Sequence, residues 1–284
     1  MELTSIFTPI VAELAQVESE LAAVTRRLGA DSADRALPLG IMASIAQHPF
    51  AVPGKRMRPA LVLLASHMAD GNKPHQGAVS LAVAVEVLHA ASLVHDDIID
   101  EAEERRHKVS LNKRFGNRVA VLAGDILYTE FFSLVTRLPL AEADRSRILA
   151  LFLETTRRMC MGEILAQEAG AAGRPLSFQE YMEITEAKTA SLFSASCEAG
   201  AIAAGAGEAT VRGFADFGTS FGLAFQMLDD IADRDHGLDA SIELRPLAEG
   251  YAAKARAAAA ALGDGRSGAV LDRLILYLMS HPFS

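Results

Sequence analysis

Apolar residues recur along most of this chain at spacings of three and four, which is the period of an α-helix. The first such stretch predicts one amphipathic helix over residues 3–28, and a short helix is predicted at 37–47. No stretch alternates with period two long enough to predict a strand. We therefore expect an all-α fold, a single large helical bundle. Its later helices are predicted at residues 55–69, 78–99, 119–138, 146–170, 178–205 and 211–233.

The chain has 284 residues, of which 50% are hydrophobic, and this is enough for one large core. No linker rich in proline, glycine or serine divides it, and no low-complexity tail or short repeat is present. We expect a single domain over residues 1–284.

The helix predicted at residues 78–99 has apolar residues on nearly every face, as expected of a helix that is buried all round. Its last turns stack Asp96 on Asp100, with Asp97 beside them. Three carboxylates repel one another, and the helix macrodipole disfavours anions at a C-terminus. A solvated acidic helix end is the ordinary interpretation, but it fits poorly after such apolar turns. A cation bound among the carboxylates fits better.

A second copy of this acidic motif strengthens the interpretation. The segment FQMLDDIADRD contains Asp229, Asp230 and Asp233, with Gln226 one turn earlier, and it too follows an apolar helical run. One such cluster is a weak signal, whereas two form a strong one. All the clustered ligands are oxygen donors, which selects a hard cation, and we expect Mg²⁺ held partly by substrate phosphates.

Charge and cysteine content narrow the class of protein. The net charge of −9 argues against nucleic acid as a partner. Cys160 and Cys197 have no paired spacing, which fits a reducing cytoplasm. The N-terminus lacks the basic region of a signal peptide. A membrane span needs about 18–20 apolar residues, and Glu86 and His89 interrupt the most apolar run of this chain. We therefore expect no transmembrane segment. We also expect a cytoplasmic location.

Basic residues cluster beside the acidic motifs and at one chain break. Each set alone would be ordinary solvated surface, but together with two carboxylate clusters they could hold a diphosphate. Arginine suits this role because it contacts phosphate oxygens in a bidentate way. The set comprises Lys55, Arg56, Arg58, Arg105, Arg106 and Lys188, the last of which is followed by Thr189.

These motifs together resemble the trans-isoprenyl diphosphate synthase, or polyprenyl synthetase, family, with a pattern most like that of the long-chain octaprenyl-type synthases. The resemblance runs from the N-terminal helix to about residue 236 and implies the isoprenoid synthase fold, a helical bundle with a central active-site cavity. Several members carry a glycine where this chain has Pro53 or His107, and neither change removes a charged contact. The matching segments are PGKRMRP, EVLHAASLVHDDIIDE, RR at 105–106, LAGD, AKTASLF and FQMLDDIAD.

The resemblance implies that both acidic motifs bind magnesium, about three ions when diphosphate is bound. The ligands that bridge to the allylic diphosphate would be Asp96, Asp100 and Asp229. The partial ligands, or partners of ligands, would be Asp97, Asp230 and Asp233.

It also implies the activity: isopentenyl diphosphate condenses with an allylic diphosphate in an all-trans, 1′-4 linkage. Arg105 and Lys188 would contact the allylic diphosphate. Thr189 and Gln226 would face the reacting carbons, where a dipole stabilises positive charge. The residues that bind isopentenyl diphosphate would be Lys55, Arg58, His89 and Arg106.

Product length follows from the residues before Asp96, which would line the tunnel for the growing tail. Short-chain members typically fill this place with an aromatic side chain, whereas here it has Leu88, Ala91 and Ser92. The floor would lie deeper, at Phe131 or Phe132. Because each helical residue adds about 1.5 Å, we expect a product of roughly 30–45 carbons, as in synthases that supply quinone tails. Alternatively the small residues merely pack, and a floor elsewhere sets a shorter limit.

The chain departs from the family after residue 236. Members usually continue through a lysine-containing, glycine-rich loop, but no lysine lies between Asp235 and Lys254, and only Arg234 and Arg245 are nearby. Either the member is naturally shortened, with an open or weakened site, or a segment that covers the diphosphate has been lost.

Other classes remain open. The alternatives are a short-chain farnesyl or geranylgeranyl diphosphate synthase, a non-catalytic partner subunit, and a terpene cyclase. A cyclase would not need Lys55, Arg58 and Arg106, and a non-catalytic subunit would be expected to lose acidic residues that are intact here. Broad apolar helix faces, such as that of residues 119–138, lead us to expect a homodimer, whose product could be delivered to a membrane.

Overall fold

The computed structural model describes residues 3–30, 39–52, 54–71, 75–105, 107–233, 237–238, 242–263 and 266–280. Helices make up nearly all of the regular structure in these ranges, so the predicted all-α fold is confirmed. A short antiparallel hairpin joins β1 (Glu104–Arg105) to β2 (Lys108–Val109). The helices are α1 (Leu3–Ile6), α2 (Val11–Ala30), α3 (Leu39–Gln47), α4 (Met57–Ala69), α5 (Ala78–Ile99), α6 (Leu111–Phe115), α7 (Asn117–Thr136), α8 (Glu142–Ala171), α9 (Phe178–Thr185), α10 (Ser191–Ala203), α11 (Glu208–Asp233), α12 (Leu244–Leu262) and α13 (Arg266–Ser280).

The first predicted helix is interrupted near its start. A 3₁₀ turn at Thr8–Ile10 separates α1 from α2, and Pro9 lies inside this turn. Proline has no N–H to donate, and its ring clashes with the carbonyl four residues earlier. The prediction of one continuous helix over residues 3–28 is therefore wrong at Pro9, although α2 follows the expected apolar spacing.

The chain divides into two compact units. The first comprises Met1–Val11, Ala60–Ala78 and Leu140–Ser284, and the second comprises Ala12–Pro59 and Val79–Pro139. The second motif and α8 to α13 belong to the first unit, whereas the first motif, the hairpin and α7 belong to the second. The single domain over residues 1–284 stays a prediction.

Within the first unit, α10 and α11 pack at very close range. A Cβ built on Gly222 of α11 would lie 2.7 Å from the Cα of Ala190, so a larger residue there would force the backbones apart. Phe193 of α10 contacts Phe221 of α11 with ring centroids 5.5 Å apart. These contacts fix α11, and with it the helix end that carries the second motif.

The long helix predicted at residues 178–205 contains a π-helical turn, Glu186–Ala190, between α9 and α10. Such turns are rare and are frequent at functional sites. Lys188 and Thr189 lie in it. A Cβ on Gly162 of α8 would lie 2.8 Å from the backbone nitrogen of Lys188, so this glycine lets α8 approach the turn.

Two of the described helices, α5 and α7, are long and apolar enough to cross a membrane by length and composition alone. The core helix of a globular protein passes the same test, and 72% of the apolar window of α5 is buried, against 39% for α7. The expectation of no transmembrane segment therefore stays a prediction.

Candidate active site

The first acidic motif closes α5, and its three aspartates differ in burial. Asp97 is 4% exposed, Asp96 is half-buried and Asp100 is exposed. Asp97 Oδ1 accepts a hydrogen bond of 2.5 Å from Nε of Arg105. Burial raises the pKa of Asp97, and the nearby guanidinium only partly opposes this rise. The middle aspartate is thus held by a cation, while the flanking pair occupies more open positions.

The hairpin places Arg105. This residue is paired with Lys108 across the two strands, and His107 in the turn has a φ of +60°, the left-handed conformation that tight hairpin turns require. A glycine at this position would adopt that conformation without strain. Asn112 Nδ2 donates to the backbone oxygen of Asp97 at 3.1 Å, which ties the segment after the hairpin back to the motif. The sequence did not predict this hairpin, because two-residue strands leave no periodic pattern.

A contact between α5 and α7 fixes the turn that carries the first motif. His95 Nε2 lies 3.1 Å from the backbone oxygen of Val121, and its ring lies 5.6 Å from that of Tyr128. A Cβ on Gly124 would lie 2.1 Å from the same nitrogen, so only glycine leaves room for the imidazole. This accounts for the glycine of the LAGD segment.

The second motif ends α11, and neutral donors hold its middle aspartate. Asp230 accepts from the Gln226 amide at 2.8 Å on one oxygen and from the Tyr181 hydroxyl at 2.5 Å on the other. Thr189 Oγ1 donates to the Gln226 oxygen at 2.9 Å. Burial and the neighbouring carboxylate raise the pKa of Tyr181, which keeps the hydroxyl a donor. Of the flanking carboxylates, Asp229 is half-buried and Asp233 is exposed.

Lys188 in the π-helical turn has a fixed counter-charge. It forms an ion pair with Glu163 of α8, which is only 8% exposed and also accepts from Gln167 Nε2 at 2.9 Å. The Glu163 carboxylate, itself held by Gln167, therefore orients the ammonium group next to Thr189.

Part of the predicted isopentenyl diphosphate set comes together in the second unit. Arg58 Nη1 lies 3.2 Å from His89 Nε2, which joins the start of α4 to α5. Because a guanidinium can only donate, this imidazole nitrogen accepts, and the ring proton lies on Nδ1. Lys55 is exposed just before α4. Arg106 lies outside the described residues.

Of the predicted chain-length residues, all but Phe132 are buried, and Phe132 is half-buried. Leu88 and Ala91 have no exposed surface, and Ser92 Oγ donates to the His89 backbone oxygen at 2.9 Å. On α7, the ring centroids of Phe131 and Phe132 lie 5.1 Å apart, and Phe131 is fully buried. Their effect on product length stays a prediction.

The donors of both motifs fit magnesium. Within the described ranges, no three His, Cys, Asp or Glu side chains converge into a complete metal site. Mg²⁺ usually keeps several waters and is bound through one or two carboxylates plus substrate phosphates. The all-oxygen donor set therefore suits magnesium that arrives with a diphosphate better than a metal held by the protein alone.

Residues 40–237, more than half of the chain, match the family model for polyprenyl synthetase. The chain belongs to the polyprenyl synthetase family. The matched region contains both acidic motifs, the Lys55–Arg58 segment and the π-helical turn, so the resemblance seen in the sequence is confirmed.

Two curated relatives of this chain are named for products of different length. The octaprenyl diphosphate synthase of Haemophilus influenzae is 36% identical over 180 residues, which cover 63% of this chain and 52% of the relative. The geranylgeranyl diphosphate synthase of Sulfolobus acidocaldarius is 37% identical over 185 residues, which cover 65% and 56%. The chain thus spans about half the length of the curated relatives it matches. Overall identity does not distinguish a long-chain from a short-chain synthase.

A solved structure extends the likeness in fold. The polyprenyl synthase of Caulobacter crescentus, complexed with calcium and isoprenyl diphosphate, matches with a TM-score of 0.81 and 27% identity. The match covers 99% of this chain and 98% of the other. The chain therefore has the all-α isoprenoid synthase fold, as expected.

Sequence reasoning missed three residues that support the candidate site: His95, Glu163 and Tyr181. His95 directly precedes the first motif, and Glu163 follows a glycine on the buried side of α8, so both had local signals. Tyr181 had none, since its partner Asp230 lies 49 positions away.

Proposed function

We propose that this chain is a magnesium-dependent trans-prenyltransferase that condenses isopentenyl diphosphate with an allylic diphosphate. The observation that carries the proposal is the pair of aspartate motifs, each ending a helix and each with its middle aspartate held by neighbouring side chains. Membership of the polyprenyl synthetase family supports it. The flanking carboxylates left half-buried or exposed, where diphosphate-bound magnesium could reach them, are Asp96, Asp100, Asp229 and Asp233.

Arg105 and Lys188 would bind the allylic diphosphate. Each is already oriented by a carboxylate, Asp97 and Glu163 respectively. Both cations have further N–H donors beyond these pairs, and phosphate oxygens would accept from them. The negative charge that builds up on the departing diphosphate is then stabilised by groups that need not reorganise.

Asp96, Asp100 and Asp229 would hold about three magnesium ions together with the diphosphate. Bound magnesium supplies Lewis-acid neutralisation of the leaving group. Thr189 and Gln226, linked by their hydrogen bond, would direct their dipoles at the positive charge on the allylic carbon. The alkene of isopentenyl diphosphate forms the new carbon–carbon bond as the carbon–oxygen bond breaks, and one proton then leaves to the departing diphosphate.

Isopentenyl diphosphate would bind at Lys55, Arg58, His89 and Arg106. The contact of 3.2 Å between Arg58 and His89 brings these two residues to one place, where a phosphate oxygen could accept from the remaining N–H groups of the guanidinium.

A long product, roughly 30–45 carbons at about 1.5 Å per helical residue, is part of the proposal. Its support is that Ala91 and Ser92, one turn before the first motif, are both small and buried. Synthesis would take place in the cytoplasm, with delivery of the product to a membrane.

A homodimer completes the proposal. Helix α7 exposes Val121, Leu122 and Ile126, which are 43%, 62% and 36% exposed. An apolar patch of this kind on one helix is the usual mark of an interface, and a second copy of the chain would cover it.

The test is incubation of the purified protein with labelled isopentenyl diphosphate, farnesyl diphosphate and Mg²⁺, followed by sizing of the products. A ladder that ends between about 30 and 45 carbons would support both the activity and the tunnel argument. Asp229→Ala should abolish elongation. Asp216→Ala, on the exposed face of the same helix, is the matched control and should not affect it.

Other outcomes separate the alternatives. A product that stops at about 20 carbons would keep the prenyltransferase and reject the tunnel argument based on small residues. A cyclic hydrocarbon formed from the allylic substrate alone would indicate a cyclase. A folded protein that elongates nothing would indicate a non-catalytic partner subunit.

A further inference from the structure

Arg56 lies between Lys55 and Arg58, two proposed ligands of isopentenyl diphosphate, yet its side chain is only 9% exposed. Its Nη1 donates to Glu86 Oε1 at 2.5 Å, and its Nη2 donates to Glu18 Oε2 at 3.1 Å. Its Nε forms a further hydrogen bond with Glu18. The guanidinium is thus enclosed by two carboxylates instead of facing a substrate.

The two carboxylates come from different helices. Glu18 lies on α2 and is 47% exposed, whereas Glu86 lies inside α5 and is 7% exposed. Burial lowers the pKa of Arg56, but the hydrogen bonds and charges of both glutamates outweigh burial and raise it. A buried glutamate in an apolar helix needs such a partner, because an unpaired buried charge is strongly unfavourable.

The backbone at Arg56 is also unusual. Its φ of +52° is in the left-handed region, which a residue with a Cβ rarely adopts. Such a conformation persists only where the surroundings hold it. The two carboxylates hold it here.

Two bridges join this short segment to α5. Arg56 contacts Glu86, and Arg58 lies 3.2 Å from His89 Nε2. Since Glu86 and His89 are three positions apart, they are neighbours on one face of the helix. The first bridge is internal to the protein, and the second consists of proposed substrate ligands.

We propose that Arg56 is a positioning residue: by binding Glu18 and Glu86 it holds the left-handed turn that presents Lys55 and Arg58, together with His89, to the diphosphate of isopentenyl diphosphate. This inference rests on the proposed function. It assigns Arg56 no contact with substrate, and it predicts an effect on one of the two substrates only.

The experiment compares the steady-state kinetics of the wild-type protein with those of Arg56→Met, which keeps the apolar stem and removes the charge. The KM for isopentenyl diphosphate should rise about tenfold or more, the size usual for residues that orient ligands. The KM for farnesyl diphosphate should stay unchanged. Arg56→Lys should recover only part of the loss, because an ammonium cannot bridge two carboxylates as a planar guanidinium does. Arg256→Met, which breaks an exposed ion pair with Asp272, is the matched control and should leave both KM values unchanged.

Arg56→Met could fail to fold with Glu86 unpaired, so Glu18→Gln provides a second variant. It weakens only the exposed side of the bridge and should raise the same KM by less. An unchanged KM for isopentenyl diphosphate in both folded variants, or an equal rise in both KM values, would overturn the inference while the proposed function stands. Wild-type protein that neither elongates farnesyl diphosphate nor binds isopentenyl diphosphate in calorimetry would instead reject the proposed function.

Discussion

Asp97 and Asp230 occupy the same position in two copies of one motif, but their surroundings differ in charge. Asp97 accepts from the guanidinium of Arg105, which a hairpin supplies eight positions along the chain. Asp230 accepts from an amide on its own helix and from the hydroxyl of Tyr181 on α9. At the first motif, the group that holds the aspartate is also a proposed substrate ligand. At the second motif, Gln226 would also face the reacting carbons, whereas Tyr181 has no proposed contact with substrate.

Among variants of the side chains that hold Asp97 and Asp230, the largest effect is expected from Arg105→Ala. It removes a cation from the proposed diphosphate site and leaves the carboxylate of Asp97, which is 6% exposed, without its ion-pair partner. We expect kcat/KM for the allylic substrate to fall about 10²–10³-fold, as when a preorganised electrostatic donor is removed. Steady-state kinetics with farnesyl diphosphate as the varied substrate would measure this.

Lys113→Ala is the control for this variant, since it breaks a nearby ion pair with Glu103 in which both side chains are exposed. Exposed pairs contribute little, so its activity should stay near that of the wild type. If Arg105→Ala behaved like this control, the first motif would not depend on its cation.

Tyr181→Phe should have a smaller effect. It keeps the ring and removes only the hydroxyl that holds Asp230, so the carboxylate keeps its bond from Gln226. We expect kcat to fall about tenfold, in the range for a residue that orients a metal ligand, together with a higher Mg²⁺ requirement. Magnesium titrations of activity would show both changes.

Tyr251→Phe, on α12, is the matched control and should behave as the wild type. If Tyr181→Phe lost as much activity as Arg105→Ala, the two motifs would depend equally on the side chains that hold their middle aspartates. This would contradict the expected difference between Asp97 and Asp230.

Ser177→Ala tests the N-cap of α9, the helix that carries Tyr181. Ser177 caps α9 in a capping box, accepting from the backbone of Glu180 and donating its own backbone N–H to the Glu180 carboxylate. We expect a loss of about 1 kcal/mol in the free energy of unfolding, as for other N-caps, and only a slight loss of activity. Urea unfolding would measure the first. An unchanged midpoint would show that tertiary contacts alone hold α9.

The smallest effect is a pH dependence at the same cap. Hydrogen bonds from Arg174 and Ser177 lower the pKa of Glu180 below its ordinary value of 4.5. Because the pKa of Glu180 is lower in the folded than in the unfolded protein, its ionised form stabilises the fold at pH values above the unfolded-state pKa. This stabilisation is lost as the pH falls through the folded-state pKa. The difference in urea midpoint between wild type and Glu180→Gln should therefore narrow between about pH 5 and about pH 2. A difference that stayed constant would contradict the ion pair.

Most of the helices and the acidic positions could be predicted because they depend on local spacing. The apolar period located α5 and α11, and the spacing within each motif placed two carboxylates on one helix face. Pro9 should have been recognised as a break from its chemistry alone. By contrast, the hairpin around His107 is too short to leave a period.

Several supports of the site could not be predicted, because they are contacts between elements far apart in sequence. The partner of Arg56 on α2, Glu18, is 38 positions away, and that of Tyr181 is 49 positions away. Glu86 did have a signal, as a lone acid within an apolar helix, but this was interpreted only as an argument against a membrane span. Arg106 lies outside the described residues, so its role stays a prediction.

The π-helical turn at Glu186–Ala190 has a consequence for helical register. One extra residue in a helix rotates everything beyond it by about 100°, the angle of a single step at 3.6 residues per turn. Tyr181 lies before the turn, and Phe193, which packs on α11, lies after it. The turn therefore sets the phase between the residue that reaches Asp230 and the residues that anchor α10 on α11. Deleting one residue there would leave a longer uninterrupted α-helix whose two halves could no longer make both of these contacts with α11.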